Sequence, residues 1–301
     1  MVVLFLIMLC GMIAYKIKTI DDDASKKISA LILNFTNPAM ILSSVLAEER
    51  VGSLSTIGFI ALIAISCYGF GIAFGFIMPK LLNAPKEEHI FYNAMTVFSN
   101  YGYMGIPIVA AIYGSEYILY CSVFVFFNNI MVYTYGIFIF GKAAGQKDRA
   151  VDFKSMFINP GIIASALALV IFVTGIRFPS FCEKTASMLG SMTGPLSMMV
   201  IGVSLAKTKF DKIFLSTKLW IFSAIRLIII PVALSFLYRL FVKDVYIFSI
   251  LIVMLSMPVG SITIIYANKY GIESSLVSGG LLLTTILSVL TVPFVIFLTG
   301  I

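Results

Sequence analysis

Two short stretches concentrate the residues of this chain that could do chemistry. SNYGYMGIPIV, residues 99–109, holds Asn100, Tyr101, Gly102, Gly105 and Pro107 inside an otherwise apolar run. SMPVGSIT, residues 256–263, holds Ser256, Pro258, Gly260, Ser261 and Thr263 inside another. Neither contains a nucleophile–base pair or paired carboxylates, so bond-making is not what they suggest. What they can do is free backbone polar groups. Proline has no N–H to donate and suits the first turn of a new helix, while glycine permits unwound backbone and close approach. Each stretch therefore predicts two half-helices meeting at an unwound centre, Asn100 to Pro107 in the first case. A half-helix N-terminus presents free N–H groups and the positive end of a dipole, which favours an anion. Ser261 or Thr263 can cap the half that follows the second break.

Arg226, in WIFSAIRLIIIP, is the ionisable residue set well inside an apolar run, ~12 Å along a helix from Lys218. A charge at that depth costs ~2.5–3.5 kcal/mol on insertion scales, so it must face a cavity, pair with carbonyls or snorkel. Attraction of an anionic solute and a purely structural role are equally open for it. Asn128 and Asn129 are further polar candidates for the same site, with Thr284 and Thr285 in the corresponding part of the last run. Interhelical hydrogen bonding is their plainer role. No Asp or Glu lies deep in an apolar run, which argues against an embedded carboxylate proton relay. Sodium stays open, because carbonyl, Ser, Thr and Asn oxygens can hold it; the coupling ion, sodium or proton, is not decided. No cofactor is expected. Cys10, Cys67, Cys121 and Cys182 show neither metal spacing nor a disulfide framework, and His89 has no companions for a metal.

The elements that must position these residues are transmembrane helices. Sixty per cent of the 301 residues are hydrophobic and 12% are charged, against about half and a quarter in soluble domains. Ten apolar segments follow one another: 1–15, 27–47, 54–78, 90–114, 117–140, 157–176, 185–206, 219–238, 245–268 and 275–299. The first is short, ~22 Å of helix against ~30 Å of hydrocarbon. It has no basic leader region and no cleavage pattern, so it reads as a span. The net charge of +7 is no sign of nucleic acid, because the basic residues sit in loops beside spans. Fifteen of them lie in the loops after spans 1, 3, 5, 7 and 9 and five in the others. That bias predicts a cytoplasmic central loop and both termini outside.

The chain also repeats itself. Shifted by 157 residues, Lys27, Thr36 and Pro38 fall on Lys184, Thr193 and Pro195, and Ser99 on Ser256. Tyr113, Gly114 and Glu116 fall on Tyr270, Gly271 and Glu273. Residues 1–141 and 157–301 are then two five-span repeats joined by a linker loop, 142–156. Five is odd, so the second repeat enters the membrane inverted, a pattern of secondary transporters. Interrupted spans 4 and 9 at matching places are the best sequence pointer to a binding site. Pro38 and Pro195 read instead as kinks in spans 2 and 7.

At this point the residues resemble a known family. MGIP preceded by Asn100 and followed by Tyr113–Gly114 is similar to the fourth span of the auxin efflux carrier family, which includes plant PIN proteins and bacterial malate or malonate permeases. SMPVGSITIIYANKYG resembles its ninth span, and NPAMILSS and GPLSMMVIGVSLA its second and seventh. The resemblance implies an all-α polytopic membrane protein of ten helices in two inverted five-helix repeats. Broken helices 4 and 9 would cross at the midplane, as in the sodium–bile acid symporter fold. It further implies a scaffold of helices 1, 2, 6 and 7, a transport domain of helices 3–5 and 8–10, homodimerisation and an elevator-like motion. Two departures stand out: Thr263 occupies a position where the plant proteins carry a second proline, and the long plant loop is replaced by a short one.

The expectation is a plasma-membrane carrier, not an enzyme, that moves a small organic anion, a carboxylate by preference. Its rivals are a sodium-coupled symporter of a larger amphipathic anion and a non-transporting membrane sensor.

Overall fold

The computed structural model describes residues 2–46, 53–144, 158–206, 216–270 and 275–300. The linker beyond Ala144, the basic residues Lys207, Lys209 and Lys212, and Gly271 and Glu273 of the repeated motif lie outside them. The described residues are helical, without a strand. In chain order the helices are α1 Val2–Lys16, α2 Asp22–Leu31, α3 Asn37–Leu46, α4 Leu54–Leu81, α5 His89–Val97, α6 Ile106–Tyr113, α7 Ile118–Met131 and α8 Ile137–Ala143. There follow α9 Pro160–Thr174, α10 Ser180–Ser191, α11 Thr193–Ala206, α12 Thr217–Ala224, α13 Ile230–Tyr238, α14 Val245–Leu255, α15 Ile262–Lys269 and α16 Ser275–Leu298.

Local chemistry sets many of these ends. Asp21 begins α2 by accepting from Ala24 N at 2.7 Å, so span 2 starts earlier than its apolar run. Asn159 and Asp244 cap α9 and α14 in the same way. Among the described residues four π-helical turns interrupt the helices: Ile32–Thr36, Tyr101–Gly105, Val132–Gly136 and Ile225–Ile229. Three of them run into a proline, Pro38, Pro107 or Pro231. A proline ring clashes with the carbonyl one turn back, and a widened turn relieves that clash. Pro38 is thus absorbed by a π turn within a continuous apolar helix, Asp22–Leu46.

Among the described residues six helical stretches are long and apolar enough to cross a membrane: Asp22–Leu46, Leu54–Leu81, Ser115–Ala143, Ser180–Val203, Thr217–Tyr238 and Ser275–Leu298. Shorter apolar helices, Leu6–Lys16, Tyr101–Tyr113, Pro160–Thr174 and Val245–Leu255, fall in the remaining predicted segments. Their outer faces are greasy: Leu290 is 74% and Phe297 80% exposed. Such a surface suits hydrocarbon and not water. The protein is a multi-pass membrane protein.

The helices gather into two compact units that each draw on both halves of the chain. The first comprises residues 1–61, 101–126 and 157–208. In it α1 packs along α11, and α9 and α10 pack on α3. The α1–α11 contact depends on two glycines. A Cβ on Gly11 would collide with the backbone of Met199, and one on Gly202 with the backbone of Met8. Small residues allow this approach, which dispersion and close packing reward in a membrane. The second unit comprises residues 62–100, 127–156 and 209–301. Its α16 is the hub, against which α5, α12 and α14 pack.

Candidate functional site

The second unit holds the feature that matters most. Helix α5 stops at Val97, and Phe98 turns extended, with φ −94° and ψ 115°. Helix α14 stops at Leu255, and Pro258 keeps the following chain from resuming a helix. The two loosened segments pair as a short antiparallel bridge between Ser99 and Val259. Asn100 N donates to Pro258 O, and Gly260 N donates to Phe98 O, each at 2.9 Å. Gly260 makes the approach possible: a Cβ there would lie 2.9 Å from Ser99 O and 3.1 Å from Ser99 C.

Further groups freed at the breaks also find partners. Val259 N donates to Thr284 Oγ1 at 3.2 Å, and that hydroxyl donates to Gly280 O at 2.7 Å. Arg226 Nη1 donates to Leu255 O at 2.9 Å, and Nη2 donates to Ser99 Oγ. The guanidinium therefore ties the end of α14 to the break after α5. Arg226 is 4% exposed on the π turn before Pro231, so it does not snorkel. Carbonyl pairing is what the structure gives it, and the positive charge stays beside both breaks. This accounting is what buried backbone in a membrane requires.

Asn100 contributes its backbone to the bridge but not its side chain. The residue is 7% exposed. Among the described residues no hydrogen bond engages its amide, so a donor and an acceptor remain available at the breaks.

The other sequence-predicted residues distribute as follows. Ser256 is buried and its hydroxyl donates to Ile252 O at 2.7 Å, one turn back in α14. Pro258 and Gly260 lie in the bridge, and Ser261 follows it at the start of α15. Thr263 is not the cap of α15 because it lies inside that helix, as its second residue, and its hydroxyl donates to Gly260 O at 2.7 Å. Asn128 belongs to a different contact, accepting from Tyr68 OH at 3.0 Å. Asn129 is half-buried next to it.

Tyr101, Gly102, Gly105 and Pro107 belong to the first unit. Here the sequence reading needs correction. The extended backbone is at Phe98–Asn100, whereas Gly102 and Gly105 sit inside a π turn, Tyr101–Gly105. Pro107 does occupy the first turn of α6, as expected. Within that unit the Tyr101 ring meets Phe124 at 6.3 Å between centroids, and a Cβ on Gly194 would touch Pro107 Cβ at 3.6 Å. Sequence reasoning missed Ser99 as the partner of Arg226. Its one signal was that Ser99 coincides with Ser256 when the halves are superposed by shifting.

Comparison with known proteins converges on the same picture. A family profile described as "Membrane transport protein" matches residues 1–296. The chain is 24% identical over 302 aligned residues to an archaeal protein of Methanocaldococcus jannaschii, uncharacterized transporter MJ1031, covering 96% of this chain and 94% of that one. It is 23% identical over 299 to an uncharacterized transporter of Methanothermobacter thermautotrophicus, covering 95% and 93%. With uncharacterized transporter YfdV of Escherichia coli K12 it shares 20% over 240, covering 77% and 74%. With nearly the whole length matched, the chain belongs to the membrane transport protein family, that of the auxin efflux carriers.

Proposed function

We propose that this protein is a secondary transporter that moves a small organic anion, a carboxylate, across the plasma membrane by elevator-like alternating access. The observation that carries the reading is the pair of interrupted helices joined at Ser99 and Val259, with the Asn100 amide unengaged beside it. Broken helices at matching places in two repeats mark substrate sites in secondary transporters. A carboxylate would accept from the Asn100 amide and from the first-turn N–H groups of α15, the half-helix that follows the second break in the same unit. The Arg226 charge favours an anion there.

The finer architecture belongs to the same proposal: ten spans in two inverted repeats, both termini outside, and helices 4 and 9 crossing at the midplane. A scaffold of spans 1, 2, 6 and 7 is supported by the first compact unit, which contains all four and also residues 101–126. The chain passes from one unit to the other between Asn100 and Tyr101, at the break itself. A homodimer through the scaffold is proposed on the family resemblance.

Counterflow in proteoliposomes tests the function. Vesicles are loaded with one unlabelled mono- or dicarboxylate per batch, and entry of the matching radiolabelled acid is followed with and without sodium. Accelerated exchange for at least one acid is expected. No exchange across the panel, by protein with a cooperative thermal transition, would overturn the carboxylate assignment.

A further inference from the structure

We propose a second site, in the first unit: a pocket for a monovalent metal cation, sodium above all, where spans 2 and 7 pack. Its ligands are Thr36 Oγ1, Asn37 Oδ1, Thr193 Oγ1 and Ser197 Oγ, with Ser165 Oγ beside them. These are five of the six buried side-chain oxygens that have no hydrogen-bond partner among the described residues. Each of the five residues is at most 5% exposed. Buried polar atoms without partners are costly and rare, and such a concentration calls for an explanation.

Their isolation is not a habit of this chain. Helical hydroxyls elsewhere donate to the preceding turn: Thr96 to Tyr92 O at 2.7 Å, Ser223 to Leu219 O at 2.8 Å, Thr284 to Gly280 O at 2.7 Å. Thr36, Ser165, Thr193 and Ser197 do not, although the same bond is sterically open to a helical Ser or Thr.

Packing brings them together. A Cβ on Gly190 would lie 2.7 Å from Met40 Cα, so α10 and α3 touch backbone to backbone. Helix α10 runs along α3, while α11 runs along α2 and the π turn Ile32–Thr36. The two spans are therefore antiparallel. One turn before Met40 and one turn after Gly190, Thr36 and Asn37 come opposite Thr193 and Gly194. Ser197 follows Thr193 by one turn on α11, and α9, which carries Ser165, packs on α3 and on the same π turn. Pro38 and Pro195 offer no N–H to the turns before them, which leaves carbonyl oxygens near the same level. Thr36 and Thr193 are also partners under the 157-residue shift, so each repeat supplies one.

The donor set selects the ligand. Asn37 Oδ1 only accepts, which disfavours an anion. All five atoms are hard neutral oxygens, and no cluster of His, Cys, Asp or Glu is present among the described residues. Calcium and magnesium sites are built with carboxylates, so an alkali cation fits best. The site is argued without the transport reading, and its test uses no transported solute, so either can fail alone.

The experiment is thermal unfolding of the full chain in detergent, with sodium chloride replacing choline chloride at fixed ionic strength. Potassium and lithium series run alongside. We expect a saturable rise in Tm of roughly 2–4 °C at ten times the half-saturating sodium concentration. Thr36→Val and Thr193→Val should abolish that rise while melting no lower than wild type in choline, since each removes an unbonded hydroxyl. Equal Tm in every salt assigns the oxygens to water and overturns the proposal, as does a sodium shift that both variants retain. Sodium-23 NMR line broadening on the wild-type protein reads binding without any variant; no broadening that lithium competes away also overturns it.

Discussion

Gly260→Ala is the sharpest probe of the paired breaks. The new Cβ would stand 2.9 Å from Ser99 O, 3.1 Å from Ser99 C and 3.4 Å from Phe98 O. These are backbone atoms of the facing segment, so no side-chain rotation relieves the contact. The segments must part by several tenths of an ångström, which stretches Gly260 N→Phe98 O and Asn100 N→Pro258 O, both 2.9 Å now. A buried group left unsatisfied costs about 1–3 kcal/mol. Losing one of the two bonds strands a donor and an acceptor, so about 2–6 kcal/mol is at stake. Taking the low end, Tm should fall by roughly 4–8 °C. Counterflow should be lost as well, because the Asn100 amide moves with its backbone. Gly58→Ala and Gly69→Ala in α4 are the controls: a Cβ at either meets nothing within 4 Å, and exchange of a helical glycine for alanine is neutral or mildly stabilising. A Gly260→Ala protein that melts and exchanges like wild type would refute the bridge as the rigid element of the site.

Other perturbations test neighbouring links. Arg226→Gln removes the charge and the two-pronged reach to Leu255 O and Ser99 Oγ; apparent affinity for an anion should fall at least about tenfold, the equivalent of ~1.4 kcal/mol, and unchanged affinity in a folded variant would leave the arginine a structural role alone. Thr284→Val deletes the acceptor of Val259 N and should lower stability by about 1–3 kcal/mol, whereas Thr285→Val, whose hydroxyl bonds only Leu281 O at 2.6 Å, should cost less; chemical denaturation of both, side by side, gives the order. Gly202→Ala should displace α1 and lower Tm, and a similar loss from Gly11→Ala would show that both glycines serve one contact; no change in either refutes the close approach.

Much of this was legible beforehand because it rests on local chemistry. Apolar length described a polytopic, all-helical membrane protein from the sequence alone. Pro107 in the first turn of α6 follows from its missing N–H. The unwinding was misplaced because it depends on a partner in the other half of the chain. The unwinding looked centred on Gly102 and Gly105, where glycine is permissive, yet it occurs at Phe98–Asn100 because Pro258–Gly260 pair there. Thr263 looked like a cap because its type suits one, but the helix begins at Ile262 and takes Thr263 into its first turn. Arg226 left two readings open, since the carbonyl and hydroxyl that hold it come from residues far away in sequence. Three of the four π turns were hidden in the prolines: a kink was expected at Pro38, and a π turn, Ile32–Thr36, stands just before it.

The glycine contact between α1 and α11 sets a timetable for synthesis. Helix α1 leaves the ribosome well before α11: Gly202, against which it packs, follows Gly11 by roughly 190 residues, or about 10–40 s at 5–20 residues per second. Through that interval α1 waits in the bilayer with lipid against a face shaped for a helix. Its packing is a late event, completed only once α11 has been inserted, and a newborn chain stalled before Gly202 would have α1 threaded but undocked.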